Sequence, residues 1–336
     1  MFAKNLAAML NAGLPLAKSL SVLERQMSKK SWKAIFIKLN ENLSRGVNLS
    51  TSLAAFPKTF STLFVSMVSA GEESGSLSQS LSIVAEELEK SHELVKKIRG
   101  AMLYPIIILF VMLGIAALML IYVIPKLTVT FKEFNTELPL STRAIIYTSD
   151  FFSNHYLLIM VGILVLVAVL FMISKTLLGK HILGSVFLRI PIIGNIIQEI
   201  NSARTTRTLS SLLSSGVEVV TAVKITSGVV QNVHYREMLL DAAEKIQKGS
   251  PLESLFSPRN DLYPPFVGEM IGVGEETGTL SKNLLEVAIF YENEVSQKTK
   301  DMSTVIEPFL MVFIGVGVGF FALAMISPIY SLSNNL

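Results

Sequence analysis

Adding 203 to a position in the first third of this chain lands, without a gap, on a matching residue. Leu6 meets Leu209, Leu10 meets Leu213, Gly13 meets Gly216, Glu41 meets Glu244, Gly46 meets Gly249 and Leu49 meets Leu252. The best block is Gly71-Glu72-Glu73-Ser74-Gly75-Ser76-Leu77, which returns as Gly274-Glu275-Glu276-Thr277-Gly278-Thr279-Leu280. The register holds through Leu81/Leu284, Ala85/Ala288 and Glu89/Glu292, and then through Pro105/Pro308, Gly114/Gly317 and Pro125/Pro328. A fixed displacement of this length requires two copies of one architectural unit, whatever that unit is.

Three runs are long and apolar enough to cross about 30 Å of hydrocarbon: residues 103–124, 156–173 and 308–330, none with an internal charge. Composition agrees: 51% of residues are hydrophobic and only 16% charged, where soluble domains hold about a quarter charged. Each repeat is therefore a polar segment leading into a span, and the span at 156–173 returns the chain to its starting side. Lys90, Lys96, Lys97 and Arg99 precede the first span; Lys175, Lys180 and Arg189 follow the second; Lys298 and Lys300 precede the third. Basic flanks stay cytoplasmic, so the expected order is a cytoplasmic region 1–102, span 103–124, an extracytoplasmic connection 125–155, span 156–173, a cytoplasmic region 174–307, span 308–330 and an extracytoplasmic tail 331–336. Lys4 and the apolar residues after it imitate a signal peptide. Asn11, Gly13 and Pro15 interrupt that run and its likeness recurs at 209–217, so it reads as a domain helix.

Within the first repeat, apolar stripes at helical spacing are separated by helix stops. Leu6 and Leu10 end at Gly13; Leu16, Leu20 and Leu23 follow Pro15; Phe36, Leu39 and Leu43 end at Gly46; Leu49 and Leu53 stop before Pro57. A fifth helix is expected from about Phe60 to Ala70, ending at Gly71. A sixth, beginning after Ser76, is expected to continue through Leu94 and Ile98 into the first span. The fold class is an all-α integral membrane protein with two homologous six-helix cytoplasmic bundles and three transmembrane helices.

Several chemistries are excluded. With no cysteine there is no disulfide, thiolate metal site or cysteine nucleophile. The four histidines are widely separated in sequence, which suggests no His-rich metal site. Phosphate-cradling and nucleophile-elbow motifs are missing. A net charge of +3 without a basic run gives no argument for nucleic acid. The first 102 residues carry 13 basic and 8 acidic side chains, an excess accounted for by orientation or by attraction to anionic lipid.

These residues resemble the F family of inner-membrane platform proteins in type II secretion, type IV pilus and competence-pilus machines. The similarity rests on Leu10-x-x-Gly13-Leu14-Pro15-Leu16, the twice-present Gly-Glu-Glu block, and Lys97-Ile98-x-x-Ala101-Met102-x-Tyr104-Pro105 followed by Pro125. Glu137-Leu138-Pro139-Leu140 and Arg189-x-Pro191-x-x-Gly194 complete it. The resemblance covers essentially the whole chain. Members often carry an N-terminal extension, whereas here the bundle begins at about Phe2; if that extension binds a partner in relatives, the expectation is that this chain lacks the contact or is a shorter variant. What the resemblance implies is a non-enzymatic platform without cofactors. Its partners would be a cytoplasmic hexameric secretion or pilus ATPase, pilin or pseudopilin transmembrane helices, other inner-membrane assembly proteins and further copies of itself.

Two sets of residues are candidate contacts. Gly71, Glu72, Glu73 and Gly75, with Gly274, Glu275, Glu276 and Gly278, form either a solvated helix corner or an acidic knob that docks a partner. Their adjacent carboxylates argue against paired-acid catalysis. Pro105, Pro125, Pro308 and Pro328 mark the membrane borders or bend the spans, Proline at a first helical turn losing no hydrogen bond. Gly114 belongs to the same repeated plan, and Glu307 at the border of span three is expected to stay hydrated. Gly315, Gly319 and Ala322 make a small-residue face that meets the chain's own spans, a second copy or a pilin helix. Ile145, Ile146, Phe151 and Phe152 are consistent with an amphipathic helix on the membrane surface. A transporter or channel component is the alternative function; it would need intramembrane ionisable residues or broken helices, which the runs do not contain. A membrane-bound enzyme is disfavoured by the missing motifs.

Overall fold

The computed structural model describes residues 1–133, 140–190 and 193–333, and among these every regular element is a helix. The first repeat holds α1 (Phe2–Asn11), α2 (Leu16–Gln26), α3 (Lys30–Ser44), α4 (Leu49–Ala54), α5 (Thr62–Glu73) and α6 (Leu77–Leu118). After a π-helical turn at Met119–Val123 come α7 (Ile124–Glu133), α8 (Leu140–Lys175) and α9 (Leu177–Arg189). The second repeat holds α10 (Ile193–Ser214), α11 (Val219–Ser227), α12 (Val233–Gln247), α13 (Glu253–Phe256), α14 (Pro265–Thr277) and α15 (Leu280–Ser333).

The 203-residue displacement governs backbone as well as sequence. Adding it to the bounds of α3 gives those of α12, and α2, α5 and α6 begin where α11, α14 and α15 do, each 203 residues on. Six glycines have a left-handed backbone, in three pairs at the same displacement: Gly13 and Gly216 at φ 84° and 85°, Gly46 and Gly249 at 77° and 93°, Gly75 and Gly278 both at 68°. Only glycine takes this conformation without a Cβ penalty, so each pair ends a helix in the same way in both copies.

One compact unit is built from Met1–Lys96 and Lys180–Ser296 and so contains the helical bundles of both repeats. In the first, Phe2, Trp32, Phe36, Phe60 and Phe64 form an aromatic cluster with ring centroids 5.4–6.1 Å apart. In the second, Tyr235 and Tyr263 replace Trp32 and Phe60 and each acquires a polar partner. The Tyr235 hydroxyl donates to the Leu262 carbonyl (2.5 Å), and the Tyr263 hydroxyl lies 2.9 Å from Thr205 Oγ1. Burial of a phenol tolerates the hydroxyl only when it is paired in this way.

The second unit runs from Lys97 to Gly179 and resumes at Gln297. Among the described residues two helical stretches, Leu77–Lys126 and Thr142–Lys175, are long and apolar enough to cross a membrane, with mean hydropathy 3.0 and 3.1 in their most apolar stretch. A third candidate arises only if α9 and α10, bent by 111°, are counted as one span. In α10, however, Ser202, Thr205, Thr206, Thr208 and Ser210 are buried within the bundle unit, which suits a core helix of a soluble fold better than a span. The apolar run expected at 308–330 lies within α15, where Leu310–Phe320 is the described apolar stretch. Glu137, Leu138, Pro139 and Pro191, which entered the family likeness, lie outside the described residues, as does the side chain of Glu307.

Three local features differ from the sequence expectation. Helix α5 does not end at Gly71 but continues to Glu73, because Gly75 is the left-handed residue and Gly71 is an interior helix position. Pro105 does not open a helix; it sits inside α6, and Pro308 and Pro328 fall within α15. Pro125, expected to close the first span, is the second residue of α7. Helix α8 has a non-helical residue at His155 (φ −121°, ψ 18°), immediately before the apolar run that starts at Tyr156. At the π-turn, the Leu120 carbonyl accepts a hydrogen bond from Ser149 Oγ of α8 at 2.5 Å, giving a partner to a carbonyl in the disrupted ladder.

Candidate functional site

The repeated Gly-Glu-Glu block is a corner in which each residue has a separate task. Gly71 faces the start of α6 so closely that a Cβ there would stand 2.6 Å from Ser80 Cβ and 3.1 Å from Leu77 Cα; the contact matching the second, at Gly274, is 2.8 Å to Leu280 Cα. The first acid, Glu72, turns inward. Its Oε1 accepts from the Leu49 backbone N–H at 2.5 Å, and its Oε2 from the Ser50 N–H at 3.0 Å and the Ser50 hydroxyl at 2.5 Å. Glu275 repeats this on α13, accepting from the N–H groups of Leu252 (2.8 Å) and Glu253 (2.9 Å). A carboxylate satisfying the orphan donors of a helix start also complements the helix dipole. The second acids are different. Glu73 is exposed and accepts from Ser69 Oγ at 3.1 Å, while Glu276 is exposed, as is the capping Glu275 beside it.

The pattern therefore splits into structural and presentable halves. Gly71, Glu72 and Gly75, with Gly274, Glu275 and Gly278, fasten α5 or α14 to its neighbours. Glu73 and Glu276 are the carboxylates of the block that point outward without helix-capping duty. Both sequence readings treated each acid pair as equivalent; the geometry separates them, for a reason that lies in the short helices α4 and α13, whose N–H groups no side chain of their own caps.

A second constellation joins the two repeats and was not legible as a site in the sequence. Glu87 of α6 is 4% exposed. Its Oε1 accepts from Thr208 Oγ1 at 2.9 Å and its Oε2 from Ser211 Oγ at 3.2 Å, both on α10. Burial pushes the Glu87 carboxyl above its ordinary value, opposed by these hydrogen bonds and by the charge of Arg207. Arg207 itself pairs through Nε and Nη2 with both oxygens of Glu292. Displaced by 203, that bidentate pair is Lys4 with Glu89, at 2.9 Å but exposed. Burial also lowers the pKa of Arg204, which the Glu87 charge counteracts. The signal available in sequence was the pairing of basic residues 4 and 207 with acids 89 and 292 at one displacement.

In the apolar helices the small residues meet little. A Cβ on Gly114, Gly315, Gly317 or Gly319 would have no heavy atom within 4 Å, so among the described residues the chain's own spans do not fill that face. Ala322 is half-buried.

Comparison with known proteins places these features. The family described as type II secretion system (T2SS), protein F, matches the chain twice, over residues 2–125 and 205–328, which is again a displacement of 203. A protein of Thermus thermophilus named type IV pilus assembly protein PilC is 36% identical over 100% of this chain and 82% of its own length. A protein of the same name from Myxococcus xanthus is 34% identical over 99% and 80%. One named type II secretion system protein F, from Vibrio cholerae, is 29% identical over 99% and 82%.

Proposed function

Because this chain belongs to the type II secretion system protein F family, we propose that it is the inner-membrane platform of a type II secretion or type IV pilus machine. In this reading it couples a cytoplasmic hexameric ATPase to the insertion of pilin or pseudopilin subunits into a growing fibre, and catalyses nothing itself. The observation that carries the reading is the duplicated unit, in which a helical bundle ending in an acidic corner leads directly into an apolar helix. Each repeat acts as one six-helix cytoplasmic bundle. The N-terminus and the segment 174–307 face the cytoplasm, and the C-terminus lies outside.

The outward acids Glu73 and Glu276 are then the docking points for basic residues of the ATPase or of another assembly protein, while Glu72 and Glu275 hold their corners in shape. The face of Gly315, Gly319 and Ala322 receives a helix from another chain, either a second copy in a homo-oligomer or a pilin. The physical basis is that small residues permit the close approach on which association in lipid depends. Deleting the gene and restoring it in trans tests the assignment: secretion, surface pili or DNA uptake should be lost and recovered together with the protein. Purified chain should raise the turnover of its co-expressed ATPase without hydrolysing ATP alone. A null strain normal in all three processes would overturn the proposal.

A further inference from the structure

Outside the corners and the inter-repeat network, one cluster joins groups far apart in sequence. His181 on α9 and His234 and Glu237 on α12 bring one ligand atom each to within 4.8 Å of one another. His181 Nε2 stands 3.1 Å from Glu237 Oε1. The two imidazole rings are 5.4 Å apart at 73°, edge toward face. We propose that His181, His234 and Glu237 bind a first-row transition-metal dication, with Zn²⁺ as the natural occupant, and that the metal clasps α9 to α12.

The donor set selects the class of ion. Two neutral imidazoles and a carboxylate suit Zn²⁺, whereas Ca²⁺ and Mg²⁺ prefer oxygen alone and Cu⁺ prefers sulfur. His234 and Glu237 are three apart on a helix and so share a face, and that face meets α9. Tetrahedral bonds of about 2.0–2.1 Å place neighbouring ligand atoms about 3.3 Å apart. The His181–Glu237 separation already has that spacing, and the rest needs only a small rotation of two half-buried imidazoles and one exposed carboxylate. The ligands are supported as a metal site requires. Ser185 Oγ, one turn after His181, lies 2.9 Å from His234 Nε2, and the His234 backbone N–H donates to Asn232 Oδ1 at 3.0 Å. Gly184 permits the approach, since a Cβ there would lie 3.4 Å from Asn232 Oδ1 and from His234 Cδ2. A simple ion pair would use one histidine; a second at the same point adds a nitrogen donor that a cation uses and an ion pair does not. Three protein ligands leave the fourth position to water; because they come from two helices, the bound ion ties α9 to α12.

The test uses the full chain in detergent, stripped with chelator and titrated with Zn²⁺ alone. One Zn²⁺ per chain is expected, with His181→Ala and His234→Ala each weakening binding at least ~100-fold and Glu237→Gln about 10–100-fold. The pair His92→Ala with His155→Ala, which removes the remaining histidines, should bind as wild type. Co²⁺ titrated into unaltered protein should give the intense visible bands of low-coordinate cobalt, a readout independent of whether any variant folds. Failure of unaltered protein to bind Zn²⁺ with those bands, or one-to-one binding that survives loss of His181 and His234 together, overturns the proposal.

Discussion

The Thr208 hydroxyl donates to Glu87 Oε1 at 2.9 Å across 121 residues, from the second copy of a duplicated fold to the first. Ser211 supplies the other oxygen. The duplication offers no counterpart: displaced by 203, Glu87 becomes Phe290, and Thr208 and Ser211 become Asn5 and Ala8. This contact belongs to the joint between the copies and not to the copies themselves.

Its pH dependence follows from burial. The Glu87 carboxyl is raised above 4.5 when folded, so between the unfolded and folded values the native state binds more protons. Stability then falls as pH increases. The contribution is complete below the unfolded value and is lost as pH rises through the folded one. Chemical unfolding of Glu87→Gln should show that fall removed, with stability at pH 7 within ~1 kcal/mol of wild type, whereas Glu87→Ala strands two buried hydroxyls and should cost ~1–3 kcal/mol. Parallel pH profiles for wild type and Glu87→Gln would refute the assignment.

The two acids of each corner should separate experimentally. Glu72→Ala or Glu275→Ala removes a helix cap and should cost about 1–2 kcal/mol in thermal unfolding. Glu73→Lys with Glu276→Lys should leave the melting curve in place yet block pilus assembly or secretion. Normal assembly in that double variant would leave the outward acids without a role.

Glycines of the corner should likewise differ in kind. Gly71→Ala presses a methyl against Ser80 and should destabilise by ~1–3 kcal/mol, relieved in part by Ser80→Gly. Gly75→Ala meets no neighbour but is forced to φ 68° and should cost about 1 kcal/mol through backbone strain. Gly100→Ala, at an exposed helical position with space around it, should gain ~0.5–1 kcal/mol. Differential scanning of the three variants checks the order.

In the last apolar helix, Gly315→Leu with Gly319→Leu should insert normally, since Leu is apolar and helix-favouring, and should abolish function by blocking helix approach. Cysteines placed at Ala322 in active protein should crosslink copies to each other or to a pilin. Full function of the Leu variant without either crosslink would show that the face receives nothing.

Topology can be read directly because the chain has no cysteine. A single cysteine at Asn334 should react with impermeant maleimide in intact spheroplasts. Cysteines at Lys58 or Lys248, both exposed, should react only after lysis. Labelling of Lys248→Cys from outside would reverse the orientation inferred from the basic flanks.

The repeat, the helix stops at Gly13 and Gly46 and the passage of α6 into the apolar run could all be read from sequence, because they depend on local backbone chemistry and periodicity. The end of α5 could not. Gly71 and Gly75 are equally good breakers on paper, and only the approach of Ser80 decides which glycine is needed for space and which for its dihedral. The split between Glu72 and Glu73 was hidden for a similar reason, since it depends on which way a side chain faces relative to a helix 23 residues earlier. Thr- and Ser-rich α10 lacks the apolar stripe that marks a bundle helix. Its burial becomes intelligible only with its partners Glu87, Tyr263 and Glu292 in place.

The three pairs of left-handed glycines carry one more consequence. Two bodies that turn at the same places have matching backbones, so whatever makes one half of the bundle unit behave unlike the other must lie in side chains. Features present in a single copy, such as the Glu87 joint, are where that difference is written. The ion pair sealed in one half as Arg207–Glu292 and left open to water in the other as Lys4–Glu89 shows the same inherited contact already diverging toward it.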